Sequence, residues 1–352
     1  MKLATTTKFR PGHAGLDMDH VFEAERLGFA TIWAGEAWGT DAVSPVAWIL
    51  AQTSRIKAGT GIMQMPARTP AMAAMTAMTL QALSGNRFLL GIGPSGPQVV
   101  EGWHGVPFGK PLGRTREYIA IIRQVLARKA PLEHQGEHYQ IPYTGAGSSG
   151  LGKPLRSIIH GDPNLPIYTS SVTPASLRLA GEIADGILPF FMSPEQPEAI
   201  AGPVREGRAK AGRQDANGGG DLTGFDIAPY VRVAMGDDIE KCRDAIRPGL
   251  ALYIGGMGAR SRNFYNDLAK RIGYEAAAVK IQDLFLDGKK QEAAAAVPDA
   301  LIDEISLVGP PDRIRDRLQA WQGLAKSGSV GSLVLTGAVD ATAMRVIAEA
   351  AL

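Results

Sequence analysis

The sequence predicts an α/β protein, a (β/α)8 TIM barrel with insertions at the carboxyl ends of its strands. Three observations carry this. Strand-like runs, about eight of them, alternate with helix-like runs along nearly the whole chain, the pattern of parallel βαβ units. The 352 residues are 45% hydrophobic, enough for a large core. The 42 glycines and 23 prolines fall in short clusters between periodic segments, which reads as many tight loops. Eight repeats in one domain longer than about 250 residues favour a barrel over a doubly wound sheet.

In chain order, Leu3–Phe9 is short and β-rich, and Asp19–Ala30 reads as a helix ending near Gly28. Thr31–Gly35 is a strand leading to Glu36, and Pro45–Gln52 is helical. Ile56–Met63 is a strand, Pro70–Leu83 a helix rich in Ala and Met, and Arg87–Gly93 a strand. Arg114–Arg128 is a helix with Ile119, Ile122 and Leu126 on one face. Ile167–Val172 is a strand; Thr173-Pro174 then supplies an N-cap and a proline at the first helical position of a helix reaching Ala184. Gly186–Phe191 and Phe225–Ala234 are strands, Lys241–Leu252 and Asn263–Gly288 are helical, and Ser332–Thr336 precedes a C-terminal helix. Two excursions interrupt the repeat. One, at about 129–166, carries a hairpin over Leu132–Ile141 around Gln135-Gly136 and then a Gly/Ser-rich loop. The other, at about 237–309, is mostly helical with no convincing strand. No linker marks a boundary, so 1–352 is expected to be a single barrel domain.

Composition excludes several function classes. Thirty-seven basic against 35 acidic side chains leave a net charge of +2, with no run of Lys and Arg that would mark a nucleic-acid partner. The one cysteine, Cys242, excludes an intramolecular disulfide and a cysteine-rich metal site. No apolar stretch approaches the roughly 18 residues that span a bilayer, and the first residues hold no signal-peptide core. The expectation is a soluble cytoplasmic protein with a small-molecule substrate and no nucleic-acid or membrane partner; a homodimer stays open.

Several motifs invite a stronger reading than they support. Gly91-Ile92-Gly93-Pro94-Ser95-Gly96 matches the dinucleotide fingerprint and follows a strand. The glycine- and proline-bearing segment after it does not begin a long helix, and the later acidic strand end is missing. Its glycines would still let a phosphate or flat ring approach the backbone. Gly147–Pro154 is a phosphate-loop pattern that ends in Pro154 where a hydroxyl is needed, so it reads as a surface loop. His134 and His138 sit in a hairpin with Gly136 between them, so they need not share a face, and no metal is expected. Met63, Met65, Met72, Met75 and Met78 suggest either a methionine-lined pocket or ordinary core packing. Glu36, Gly61, Gly93 and Ser170-Ser171 all fall at or just past predicted strand ends, the ligand-binding rim of a barrel. Ser170–Thr173 also opens a helix, where an anion is favoured; an ordinary N-cap is the plainer explanation.

Gly91–Pro111 (GIGPSGPQVVEGWHGVPFGKP), Gly113–Tyr118 (GRTREY), Ile167–Gly186 (IYTSSVTPASLRLAGEIADG), Tyr253–Leu268 (YIGGMGARSRNFYNDL) and Asp303–Pro310 (DEISLVGP) together resemble the luciferase-like monooxygenase superfamily, most closely its actinobacterial F420-dependent oxidoreductases. The resemblance implies a TIM barrel binding coenzyme F420, or FMN, at the strand ends. By the same resemblance Glu36 and Ala37 stand where such dehydrogenases often place Asp-His beside the deazaflavin, so a histidine acid-base is missing there. Gly61-Ile62 matches a ring-supporting bulge with a cis peptide bond, and Gln64 lies just beyond. Gly93, Pro94, Ser95, Gly96 and Gln98 match the loop beside the ring and phosphate. Gly96 replaces the carboxylate of the sugar-phosphate dehydrogenases, which argues against that substrate. Ser170, Ser171, Val172 and Thr173 match the phosphate-contacting segment.

The activity so implied is hydride transfer between the deazaflavin C5 and a small organic substrate. An FMN-dependent monooxygenase and a non-catalytic flavin-binding barrel are the alternatives. Glu36, His13 and His104 are candidate proton donors, and no catalytic residue is assigned among them. Met257–Tyr265, with Arg260, Arg262, Phe264 and Tyr265, is expected to overhang the pocket mouth and suit an acidic tail or a flat substrate; a solvated or dimer-forming face is the equal alternative.

Overall fold

The computed structural model describes residues 1–9, 12 and 15–352. Two compact units emerge, one of Met1–Trp33 with Ser170–Leu352, the other of Ala34–Thr169.

In the first unit every strand pairing between named strands is parallel. Lys2–Thr6 pairs with Ser332–Gly337 on one side, from Lys2 opposite Ser332 to Thr5 opposite Leu335. On its other side Ala4, Thr5 and Thr6 face Thr31, Ile32 and Trp33. Tyr230–Met235 lies between Ser332–Gly337 and Ser306–Gly309, and Gly186–Ile187 pairs with Asp226–Ile227. Runs such as Ser306–Gly309 are buried at every position, which a strand covered on both faces requires. The second unit repeats the arrangement on a smaller scale. Phe88–Gly93, buried throughout, pairs in parallel with Lys57–Thr60, with Met63–Gln64 and with Ile167–Thr169.

Helix starts follow local chemistry. Thr69 caps Pro70–Leu83 by accepting the Met72 N–H at 3.3 Å, with Pro70 at the first position. Asp17 caps Met18–Arg26, and Asp340 caps Ala341–Ala351 through the Ala343 N–H at 2.7 Å. Pro174–Ile183 packs against Glu198–Lys210 with no room for a side chain at Gly181 or Gly207. A Cβ on Gly181 would collide with the Val204 carbonyl oxygen, and one on Gly207 with the Arg178 carbonyl oxygen.

Several expectations shift. The run read as one strand over Ile56–Met63 is two, Lys57–Thr60 and Met63–Gln64, separated by Gly61-Ile62, whose peptide bond is cis as the family resemblance implied. Phe225–Ala234 likewise divides at Ala228-Pro229, since a proline cannot donate to a ladder. Asn263–Gly288 is two helices, Phe264–Arg271 and Glu275–Leu286, broken at Gly273 with φ of 94°. The stretch at 237–309 is helical from Ile239 to Ile305, but it ends in the strand Ser306–Gly309, a correction to the strandless expectation. The hairpin forms, as His134–Gln135 against Gln140–Ile141, with its turn at 136–139 rather than at Gln135-Gly136. Met63, Met65 and Met78 are buried whereas Met72 and Met75 are exposed, so the five methionines line no common pocket. No helix among the described residues is long and apolar enough to cross a membrane.

Candidate functional site

Within the unit Ala34–Thr169, the side chains of Glu36, Gln64, Arg68 and His104, from separate segments, are linked by hydrogen bonds. The Glu36 carboxylate accepts Arg68 Nη1 at 3.0 Å on both oxygens, the Gln64 N–H at 2.7 Å on Oε2 and the Ala42 N–H at 3.2 Å on Oε1. The Glu36 side chain is 8% exposed and that of Arg68 19%, so this ion pair is largely out of water. Arg68 is steadied from behind, its carbonyl accepting the Tyr118 hydroxyl at 3.1 Å; burial pushes that phenol well above its ordinary range. Asp41 lies 4.0 Å from Arg68. Burial alone would raise its carboxyl, yet hydrogen bonds from Ser44 and Val43 and the Arg68 charge hold it below the usual value.

Gln64 is 1% exposed and fully engaged. Its Nε2 donates to the Glu36 carbonyl at 2.9 Å and the Ala37 carbonyl at 3.0 Å, and its Oε1 meets His104 Nε2 at 2.6 Å. Because two carbonyls can be satisfied only by the NH2 group, the amide orientation is determined, and Oε1 faces the imidazole. The strand Met63–Gln64 carries this residue beside Ile92 and Gly93.

The remaining predicted positions in this unit follow in order. Gly61 and Ile62 are half-buried beside Gln64. Gly93 ends the strand Phe88–Gly93, and Pro94, Ser95 and Gly96 form a half-buried connection in which Ser95 holds φ of 62°. Gly96 precedes the short helix Pro97–Gly102, a helix the sequence reading omits, and Gln98 is exposed on it. Ala37 is exposed and contributes its carbonyl.

Ser170–Thr173 belongs to the other unit, and its side chains bond close at hand. Thr173 Oγ1 accepts the Ser176 N–H at 3.1 Å while Ser176 Oγ accepts the Thr173 N–H at 3.1 Å, a complete capping box. Ser171 is buried and donates to the Ser176 carbonyl at 3.3 Å. Ser170 is half-buried. The Val172 carbonyl accepts Arg271 Nη2 at 2.7 Å, which sets a guanidinium against the turn.

Arg68 and Arg271 are the residues that sequence reasoning missed. Arg68 follows an interrupted strand with no pattern around it. Arg271 sits in the last turn of Phe264–Arg271, where a basic residue reads simply as a complement to the helix dipole. Among the other candidates, His13 lies outside the described residues. His134 bonds Glu117 at 3.1 Å, and the same carboxylate receives the backbone N–H groups of Glu137, His138 and Tyr139. That pair therefore anchors a hairpin, and no metal-holding group occurs among the described residues. Arg260 is paired with Asp283 and Asp287, Arg262 lies over the Phe264 ring at 5.4 Å, and Tyr265 packs edge-on to Tyr253 at 4.8 Å.

The family model for luciferase-like monooxygenases matches residues 14–327. The chain belongs to that family. Among its relatives is a Mycobacterium tuberculosis protein provisionally named as a coenzyme F420-dependent oxidoreductase, 44% identical over 303 residues, 86% of each chain. The 5,10-methylenetetrahydromethanopterin reductase of Archaeoglobus fulgidus is 31% identical over 312 residues, 87% of this chain and 84% of its own. The solved coenzyme F420-dependent tetrahydromethanopterin reductase of Methanopyrus kandleri superposes with a TM-score of 0.76 at 24% identity, covering 99% of this chain and 96% of that one. That likeness shows the fold class of the family, the α/β TIM barrel expected from the alternation of strands and helices.

Proposed function

We propose that this chain is a coenzyme F420-dependent oxidoreductase that moves a hydride between the deazaflavin C5 and a small organic substrate. The observation that carries the reading is the 44% identity across 86% of both chains to a relative named for that cofactor. The residues present suit such a group. A deazaflavin offers a flat ring, polar ring edges and an anionic tail. Half-buried Gly61 and Ile62 can face a ring. In the other unit, Arg271 and the Ser170–Thr173 turn offer cationic and N–H donors of the kind a phosphate takes. When bound, the deazaflavin provides a carbon that gives or takes a hydride; the protein orients it and excludes water.

Within this reading Glu36 is a holding group. Both its oxygens are occupied by donors, and it organises the loop from which the Glu36 and Ala37 carbonyls fix Gln64. Ala37 leaves that position without a proton carrier. A fluorescence titration of the purified protein tests the proposal: F420 should bind at least about tenfold more tightly than FMN, a difference of roughly 1.4 kcal/mol. Equal or tighter FMN binding would replace it with the flavin monooxygenase reading.

A further inference from the structure

Resting on the F420 reading, we infer that His104 is the side chain that exchanges the proton accompanying hydride transfer, through its Nδ1, and that Gln64 and Glu36 are the residues that position it.

The inference begins with the Gln64 amide. Its NH2 is committed to the carbonyls of Glu36 and Ala37, so its Oε1, an acceptor, is what His104 Nε2 meets at 2.6 Å. Only a protonated ring nitrogen can make that bond, so Nε2 carries hydrogen. Nδ1 is thereby the atom that gains and loses a proton. It has no hydrogen-bond partner among the described residues and is not sealed off in the protein. The Gln64 bond is the same in both charge states, because Nε2–H donates to Oε1 whether the ring is neutral or cationic. The imidazole can therefore pick up and release a proton without leaving its place. This is what a proton-exchanging group needs, and imidazole is the side chain suited to it near neutral pH.

The support behind the ring is unusually firm for a half-buried histidine. Gln64 is 1% exposed, its backbone N–H is held at 2.7 Å by Glu36, and Glu36 is held by Arg68. Of the other candidates, Glu36 has both oxygens occupied, and His13 lies outside the described residues.

The step balances as follows. The acceptor's polarised double bond receives the hydride at carbon, forming a C–H bond as its π bond breaks. The displaced electron pair goes to the acceptor's other atom, which takes the proton from His104 Nδ1. The acceptor is reduced by two electrons; the hydride would come from the C5–H bond of the reduced deazaflavin, whose oxidation also releases one ring N–H proton to solvent, and the neutral imidazole takes up one proton from solvent in turn. In the opposite direction Nδ1 accepts the proton.

Three measurements on the full-length protein test this. First, nitrogen-15 NMR of histidine-labelled protein without cofactor should show His104 protonated on Nε2, and Gln64→Met should abolish that preference; an Nδ1–H tautomer in the wild type overturns the inference. Second, His104→Gln should keep the wild-type circular-dichroism spectrum and bind F420 within about twofold of wild type. Third, turnover of reduced F420 with a panel of enones and ketones, cyclohexenone among them, should fall about 10²- to 10⁴-fold in His104→Gln. Added imidazole should restore part of it. Wild-type rates in His104→Gln, or a wild-type protein that binds F420 and reduces no member of the panel, overturn the role. Failure of the wild type to bind F420 is a separate result, which removes the functional reading and this role together.

Discussion

The two places assigned to a cofactor are built in opposite ways. Around Glu36 the bonds are long-range, joining Glu36 to Gln64 and Arg68 across 28 and 32 positions and Gln64 to His104 across 40. In the Ser170–Thr173 turn the hydroxyls bond within five positions. The first is a product of the tertiary fold and largely removed from water. The second would assemble in any chain that starts a helix there. It follows that the first should be costly to disturb and coupled to the fold as a whole, while the second should be cheap to disturb and felt mainly by what binds.

The sharpest way to break that contrast is Arg68→Met. Removing the guanidinium strands a carboxylate that is 8% exposed, which should cost about 3–5 kcal/mol in urea unfolding followed by circular dichroism. Arg68→Met combined with Glu36→Gln should recover much of the loss. A single-variant loss below about 1 kcal/mol would mean the pair behaves as a surface contact.

His20 extends the comparison to a further polar contact made by the tertiary fold, its Nε2 lying 3.2 Å from Thr5 Oγ1. Burial, aided by the Lys8 charge, lowers its pKa from 6.5 to about 4. The fold thus favours neutral His20, and the unfolded chain takes up the proton more readily. That stability is fully present above about pH 6.5 and is lost as pH falls toward 4, by about 3 kcal/mol. Stability against pH should be flatter over this window in His20→Gln.

The local turn should respond more weakly. Thr173→Ala removes one half of the capping box and should cost about 0.5–2 kcal/mol, with Thr173→Ser retaining most of the stability in a thermal melt. Smallest of all, Arg271→Gln and Ser171→Asp should each weaken F420 binding, by roughly two- to fivefold in titration for Arg271→Gln, the size of an exposed charge acting on an anion at a helix start. Unchanged affinity in both would place the phosphate elsewhere.

The same division explains what could be read from the chain. Thr173-Pro174 and Pro70–Leu83 were legible because caps and prolines act within a few residues. Ser306–Gly309 is a short run buried on both faces, and such a run has no alternation to betray it. Glu198–Lys210 is hidden in the sequence by Gly202, Pro203 and Gly207, which imitate a loop. Pro311–Lys326, absent from the sequence reading, does carry local signals in Pro311 at its start and the spacing of Ile314, Leu318 and Trp321. In the candidate site, Gln64 and Gly61-Ile62 came from family resemblance. The partnership of Arg68 with Glu36 has no local signature, since nothing nearby in sequence requires it, and His104 gains its meaning only once Gln64 is seen to face it.

One detail of the packing bears on how the Ser170–Thr173 turn can behave. Gly181 and Gly207 press their helices backbone to backbone, each against a carbonyl of the other. At these two points no side chain separates the backbones, so there is nothing there to compress. The helix that begins at Pro174 therefore has no slack toward its neighbour. A substitution that adds a Cβ at either glycine must push the two helices apart and shift the turn where the first of them begins.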